Sequence, residues 1–372
     1  ALAMKIAYLY EYDASNPATQ STRPFSIWRE LKQRFDVVEY FPVPNIARRL
    51  LAPKKILHAA MQTDHHLERE WLALKEYAWR VGPFLRREKP DVVFSPSQLI
   101  VTYLETSAKI IYCNDAPFGG IANYYPNFSN LSRSYMKGGY RQEYLAHQNA
   151  DRIVYPSAWA RDCAIRLHGA NPAKCMEQAF GANLPYVPGW HEVKEALARR
   201  QGRKEISLVM ISSDWVRKDG AFALAVVKEL CDRGIDARLR VIGVAPEGIP
   251  GVEALGRIDK WKDGGAEKFK TALFDSNFFI MPSRAEAYGM ALWEGAAHGL
   301  PMIGRATGGI SSIIKDRESG LLFPPDAQPG DVASWIGEVL ANGTYGRLSE
   351  QAFLEYRRRG NWKSFVDRVF EF

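Results

Sequence analysis

Short apolar runs of strand length alternate with amphipathic helical stretches along the whole of this 372-residue chain. That alternation admits few architectures, because strands that each feed a helix before the next strand form mainly parallel, helix-covered sheets. In the first half, Lys5–Tyr10, Val37–Phe41, Val92–Ser95, Ile110–Tyr112 and Ile153–Tyr155 read as strands. Leu67, Trp71, Leu74, Ala78, Val81 and Leu85 recur at three- and four-residue spacing and predict a helix, with Asp64 as its N-cap.

The pattern then restarts. Pro185, Pro188 and Gly189 open a stretch without strands, followed by a charged helical segment through Arg203. Ile206–Ile211 begins a second series, with a helix from about Ala221 to Arg233 and strands at Leu239–Ile242, Phe278–Met281, Met302–Gly304 and Leu321–Phe323. A chain of this length exceeds one ordinary core. The reading is α/β with two Rossmann-like domains, 1–185 and 186–349, and an active site in the cleft between them. Gly360 to Phe372 carries Trp362, Phe365, Val369 and Phe370 on one helical face, so residues 350–372 are expected to pack back on the first domain.

Composition narrows the class. Hydrophobic residues at 47% and charged residues at 24% describe a soluble globular protein, and no apolar run approaches the roughly 20 residues that span a bilayer. The apolar stretch between Lys5 and Glu11 is too short for a signal peptide, Met4 is expected to be the start residue, and the expected location is cytoplasmic. Four scattered cysteines and an isolated His65-His66 pair lack metal-ligand spacing. The net charge of +7 points to an anionic partner. No nucleic-acid-binding pattern accompanies it, leaving a phosphate-rich substrate or peripheral contact with an anionic membrane. Basic clusters stand at Arg48-Arg49, Lys54-Lys55 and Arg86-Arg87.

The densest chemistry lies between Pro282 and Pro301. A strand ends in Pro282-Ser283-Arg284, Glu286 follows on a loop, and Gly289 precedes a helix-forming run from Met290 through Ala297. A strand, a glycine-containing turn and a helix start together aim the N–H groups of Tyr288, Gly289 and Met290 at an anion. Glu294 on that helix suits the vicinal hydroxyls of a ribose, and Glu286 those of a second sugar. By themselves, two glutamates at a strand–helix junction are equally well surface residues.

This segment resembles the retaining glycosyltransferases of the GT-B fold, in the large family with a Glu–seven residues–Glu motif. Glu286 and Glu294 match its glutamates, and Pro282-Ser283-Arg284, Gly299-Leu300-Pro301, Gly308-Gly309 and Gly320-Leu321-Leu322 stand where the family places them. The resemblance is looser over the first half, in Tyr155 to Trp159 and Phe180 to Asn183. It implies that Glu294 binds the donor ribose and Glu286 the transferred sugar. Ala287, Tyr288, Gly289 and Met290 would then hold sugar and phosphate through backbone amides. Lys218, in Trp215 to Gly220, would neutralise the leaving diphosphate. Where the family has an arginine ahead of that lysine, this chain has Ser212-Ser213-Asp214, and Arg217 is the candidate substitute. Asp115 is the candidate for a polar role that the family gives a histidine, with capping of the next turn as the alternative. Gly256 to Asp259, including Arg257, is expected near the base.

The expected reaction is transfer of a hexose from a UDP- or GDP-sugar to a sugar, lipid-linked or small-molecule acceptor. No cofactor or metal is expected, since the chain has no Asp-x-Asp. An epimerase or phosphorylase on the same scaffold, or a non-catalytic binder, is the alternative. Tyr124, Tyr125 and Phe128 are read as core rather than acceptor site.

Overall fold

The computed structural model describes residues 4–17, 22–42 and 46–371; Ala1 to Ala3 and Phe372 lie outside them. The chain divides into two compact units, one of residues up to Gln178 together with those from Val366 onward, the other Ala179–Phe365.

The first unit runs β1 (Lys5–Leu9), α1 (Thr22–Lys32), β2 (Asp36–Tyr40), α2 (Ile46–Ala60), α3 (Trp71–Glu88), β3 (Val92–Ser95) and α4 (Gln98–Val101). It continues with β4 (Lys109–Cys113), α5 (Phe118–Ile121), α6 (Arg133–Asn149), β5 (Arg152–Tyr155), α7 (Ala158–His168) and β6 (Cys175–Glu177). Its strands form one parallel sheet in the order β2-β1-β3-β4-β5-β6. Every residue of β3 is buried, as expected of a central strand covered on both faces.

The second unit contains α8 (Trp190–Gln201), β7 (Ile206–Ser212), α9 (Gly220–Asp232), β8 (Ala237–Gly243), β9 (Val252–Gly256), α10 (Gly265–Phe274) and β10 (Phe278–Met281). Then come α11 (Ala291–Ala297), β11 (Met302–Arg305), β12 (Gly320–Phe323), α12 (Pro329–Ala341), α13 (Tyr345–Arg359) and the first half of α14 (Trp362–Val369), whose residues from Val366 belong to the first unit. The order β12-β11-β10-β7-β8-β9 is again wholly parallel. Val226, Val227, Phe278, Ile280, Ile303 and Ile336 form the heart of its core.

In both sheets the chain starts in the middle, winds to one edge, then crosses back to the other side of its first strand. The switch point falls between β1 and β3 in the first unit and between β7 and β10 in the second. Loops leaving adjacent strands diverge there and open a crevice at the carboxyl ends.

Several expectations change. The helix expected to begin near Asp64 begins at Trp71, and Asp64 instead pairs in a parallel bridge with Leu131. Its N–H donates to the Asn130 carbonyl and its own carbonyl accepts from Ser132, so extended pairing outcompetes the cap. The unit boundary lies at Gln178/Ala179 rather than 185/186, because Phe180 stacks on Trp362 and meets Tyr288 edge-on while Ala182 N–H donates to the Gly360 carbonyl. Residues 350–365 stay with the second unit, where α13 packs on α11 and α8; only the chain from Val366 joins the first, with Phe370 against Phe35 and Phe94. Tyr124, Tyr125 and Phe128 are half-buried rather than core.

One buried cation organises the second unit. Arg200 of α8 is fully buried and donates to the carbonyls of Leu273 (3.3 Å), Phe274 (3.1 Å), His298 (2.9 Å) and Gly299 (3.1 Å). These carbonyls lie at the C-terminal ends of α10 and α11; Leu273 also accepts from Ser276 N–H and Gly299 from Ser349 Oγ, while those of Phe274 and His298 have Arg200 as their donor. Truncation would leave the Phe274 and His298 carbonyls buried without their donor, so Arg200→Ala is expected to lose about 3 kcal/mol in urea unfolding. A change within measurement error would show that the two helix ends are held by something else.

Candidate donor-binding site in the second unit

The loop leaving β7 is set by its own backbone. Asp214 Oδ1 accepts from the N–H groups of Val216 and Arg217, both at 3.0 Å, and Lys218 N–H donates to the Asp214 carbonyl. Asp214, standing where the resembled family has an arginine, therefore caps the turn that delivers Arg217 and Lys218. The next residue, Asp219, is buried and left-handed, with φ 53°. Its carboxylate accepts from Arg305 Nη2 at 2.9 Å and Arg284 Nε at 3.0 Å. Arg305 also donates to the carbonyls of Pro282 (3.0 Å) and Pro325 (2.6 Å) and lies over Phe222 and Phe323. The loops after β7, β10 and β12 are thereby tied into one block.

Across the switch point, Glu286 meets that block. Its Oε2 accepts from Lys218 Nζ, and from Arg217 Nη1 and Ser283 Oγ at 3.4 Å each. Arg217 donates in addition to the Ala285 carbonyl at 3.1 Å. Burial alone would raise the Glu286 pKa, but Lys218 and Arg217 outweigh it and hold the carboxyl below its usual range.

Residues after Glu286 form the turn into α11. Gly289 has φ 98°, a conformation that L side chains rarely adopt. The N–H groups of Gly289 and Met290 donate to no other group among the described residues. Ala287 and Tyr288 are buried; the Tyr288 hydroxyl accepts from Trp293 Nε1 at 2.8 Å and donates to the Phe180 carbonyl at 3.5 Å. The Tyr288 side chain is thus an anchor of the turn. Gly309 N–H donates to the Glu286 carbonyl at 3.2 Å, closing the loop from the β11 side.

A cavity of about 440 Å³ opens at the ends of β7 and β8, lined by Ser212, Ser213, Gly243, Arg257, Lys260 and Glu294 among others. Glu294 is buried and accepts from Lys260 Nζ, whose ammonium also lies over the Phe269 ring. Ser212 Oγ is buried there without a hydrogen-bond partner among the described residues. Behind Glu294, His298 Nδ1 donates to the Glu294 carbonyl at 2.7 Å and Nε2 accepts from Tyr186 at 2.8 Å. Burial pushes that imidazole down to about 3, so it is neutral at physiological pH and fixes the backbone of α11.

The structure therefore brings Arg217, Lys218, Glu286 and the Ala287–Met290 turn together, and sets Glu294 and Arg257 on one cavity. Asp115 is elsewhere: it lies in the first unit, where Arg23 Nη1 donates to it at 2.9 Å. Lys260, Ser212, Asp219, Arg305 and His298 escaped sequence reasoning. Asp259-Lys260 beside the expected base region is the one local signal that pointed at Lys260. Among the described residues, no group of three or more His, Cys, Asp or Glu side chains is placed to hold a metal ion.

Two parallel sheets of this order, with charged loops at their switch points, define the GT-B fold, and solved structures share it over nearly the whole chain. HepE from Anabaena, crystallised with UDP and glucose, superposes with a TM-score of 0.64 at 13% identity, covering 99% of this chain and 98% of that one. Sucrose-phosphate synthase from Thermosynechococcus elongatus superposes with a TM-score of 0.67 at 15% identity, covering 98% and 97%. Residues 205–342, all in the second unit, match the family model of glycosyl transferases group 1. A D-inositol 3-phosphate glycosyltransferase from Geodermatophilus obscurus is 27% identical over 219 residues, 52% of this chain and 46% of that protein. The chain spans less than half the length of the curated relatives it matches.

The Glu286 ion pair has a pH signature. A carboxyl with a lowered folded pKa stabilises fully above its ordinary range, and that stability is lost as pH falls through the folded value. In Lys218→Met the buried carboxylate keeps Arg217 but loses the cation bonded to it most closely. The stability gap between wild type and Lys218→Met is therefore expected to be largest at pH 7 and to shrink toward pH 3 in urea melts. A gap independent of pH would mean that the pair contributes nothing through charge.

Proposed function

We propose that this chain is a retaining, metal-independent glycosyltransferase that moves a hexose from a nucleotide-diphosphate sugar to an acceptor hydroxyl. The observation that carries this reading is the cluster of Lys218 and Arg217 on Glu286, beside a cavity in which Lys260 pairs with Glu294. Each glutamate is neutralised by cations of the chain. An arriving diphosphate competes for Lys218 and Arg217 and is received by the N–H groups of Gly289 and Met290. Glu286 is then released to accept hydrogen bonds from the hydroxyls of the transferred sugar. At the other end, ribose hydroxyls replace Lys260 on Glu294, and Ser212 Oγ gains a partner.

In the transfer step the acceptor oxygen bonds to the anomeric carbon as the bond from that carbon to the β-phosphate oxygen breaks. The acceptor proton passes to the departing phosphate, so no side-chain nucleophile is required. Lys218 and the turn amides stabilise the charge that develops on the nucleoside diphosphate. A uridine donor is favoured over guanosine, in keeping with the UDP seen in HepE. We place the product in cell-surface polysaccharide or glycoconjugate synthesis at the inner face of the membrane.

Membrane contact is supported by α2. Ala47 is its one fully buried residue, while Ile46, Leu50, Ile56 and Leu57 are exposed beside Arg48, Arg49, Lys54 and Lys55, with no carboxylate on the helix. An apolar surface edged with cations suits an anionic bilayer. Among the described residues no helix is long and apolar enough to cross one.

Incubation with UDP- and GDP-hexoses and simple acceptors is expected to release nucleoside diphosphate, unaffected by EDTA, with the donor's anomeric configuration kept in the product. Glu286→Ala should lower kcat by about 10²-fold or more. Unaltered turnover in that variant, or epimerised donor without acceptor, would overturn the reading. Leu50→Asp combined with Ile56→Asp should abolish sedimentation with phosphatidylglycerol vesicles while leaving UDP binding intact. Undiminished sedimentation would place the membrane face elsewhere.

A further inference from the structure

The switch points of the two sheets differ in charge. In the second unit cations outnumber the carboxylates they meet, with Lys218 and Arg217 at Glu286 and Lys260 and Arg257 around Glu294. The N–H groups of Gly289 and Met290 add donors that no other described residue uses. At the first unit's switch point the charges balance. Glu11 stands two residues past β1 and is 4% exposed. Its Oε1 accepts from Ser97 Oγ at the start of α4, while its own N–H, Arg23 and Arg69 favour its charge against the cost of burial. Arg23, itself buried, donates to Asp115 Oδ1 and to the Pro96 carbonyl, both at 2.9 Å. Two guanidiniums thus stand with two carboxylates.

The loop after β1 also turns its donors on its own acceptors. Asp13 Oδ1 accepts from Ser15 N–H at 2.9 Å and Ser15 Oγ at 2.6 Å, and Asn16 N–H donates to the Asp13 carbonyl at 3.4 Å. An arriving anion would seek a strand-end amide, a hydroxyl and a guanidinium, and the Glu11 carboxylate already holds them. What stays open is capacity to accept. Glu11 Oε2 is buried without a hydrogen-bond partner among the described residues, and Asp115, with 43% of its side chain exposed, takes no hydrogen bond there on Oδ2. Hydroxyl groups supply the missing donors.

We propose that Glu11 sets acceptor specificity: the first unit takes an uncharged sugar or polyol whose hydroxyls donate to Asp115 Oδ2 and Glu11 Oε2, and turns away an acceptor that carries phosphate beside the reacting hydroxyl. The inference rests on the chain being a glycosyltransferase. A phosphate brings up to two negative charges to a place where no cation is in surplus, so discrimination comes from repulsion as well as from fit.

Transfer from a UDP-hexose at pH 7 to matched acceptors, glucose with glucose 6-phosphate and inositol with inositol 1-phosphate, tests this. Calorimetry of inorganic phosphate against the full chain saturated with UDP is the second arm. Wild type is expected to use the uncharged member of a pair at least tenfold better in kcat/KM and to show no Arg23-dependent phosphate binding. Glu11→Gln keeps the shape and removes the charge; it should narrow the gap about tenfold and gain phosphate binding that Arg23→Met removes again. Glu11→Asp keeps the charge and should keep the preference, with melting curves as the check on folding. Preference for the phosphorylated acceptors, Arg23-dependent phosphate binding by wild type, or a folded Glu11→Gln that behaves as wild type in both arms would overturn the proposal. Absence of nucleotide release with every acceptor, while Glu11→Gln still gains phosphate binding, would instead fault the transferase reading and uphold the charge role of Glu11.

Discussion

The ion pair between Lys218 and Glu286 joins the two loops that the second sheet throws apart at its switch point. It is held by what lies behind it. Asp219, next in the chain, is pinned by Arg284 and Arg305, and Arg305 reaches on to the carbonyls of Pro282 and Pro325. The cluster facing the crevice can exchange partners because the layer beneath it is already satisfied. Arg200 does the same for the far ends of α10 and α11, and His298 for the backbone of Glu294.

The first unit shows the same topological logic with different chemistry. Ser97 donates to Glu11 across its switch point, and Arg23 joins Asp115 to the Pro96 carbonyl. Burial raises the pKa of Glu11, with the Ser97 hydrogen bond working against it. Two loops bridged by a carboxylate thus occur in both sheets, with cations on it in one and a hydroxyl in the other. That difference follows from Glu11-Tyr-Asp-Ala-Ser-Asn16, where the resembled family commonly has a pair of glycines.

Legibility in the sequence followed locality. Central strands such as β3 and β10 are continuous apolar runs and were readable, as were Lys218, Glu286 and Glu294, which stand in fixed local motifs. The edge strands β6 and β9 were not, because none of their residues is buried and neither carries a clean apolar run. Helix α2 escaped because its exposed apolar residues break the one-sided pattern of a packed helix. Pairs remote in sequence were invisible altogether: Asp219 with Arg305, Lys260 with Glu294, and Arg200 with four carbonyls exist only once the sheet is assembled.

The central claim is that a diphosphate takes Lys218 and Arg217 from Glu286, and the side-chain carboxyl of Glu286 reports on this directly. Its ¹³C resonance can be titrated with pH in the absence and presence of UDP. Without UDP the midpoint should lie below the ordinary glutamate value of about 4.3. With UDP bound it should move upward, because the cations then serve the phosphates and a new anion stands nearby. An unchanged midpoint with UDP saturating would contradict the account.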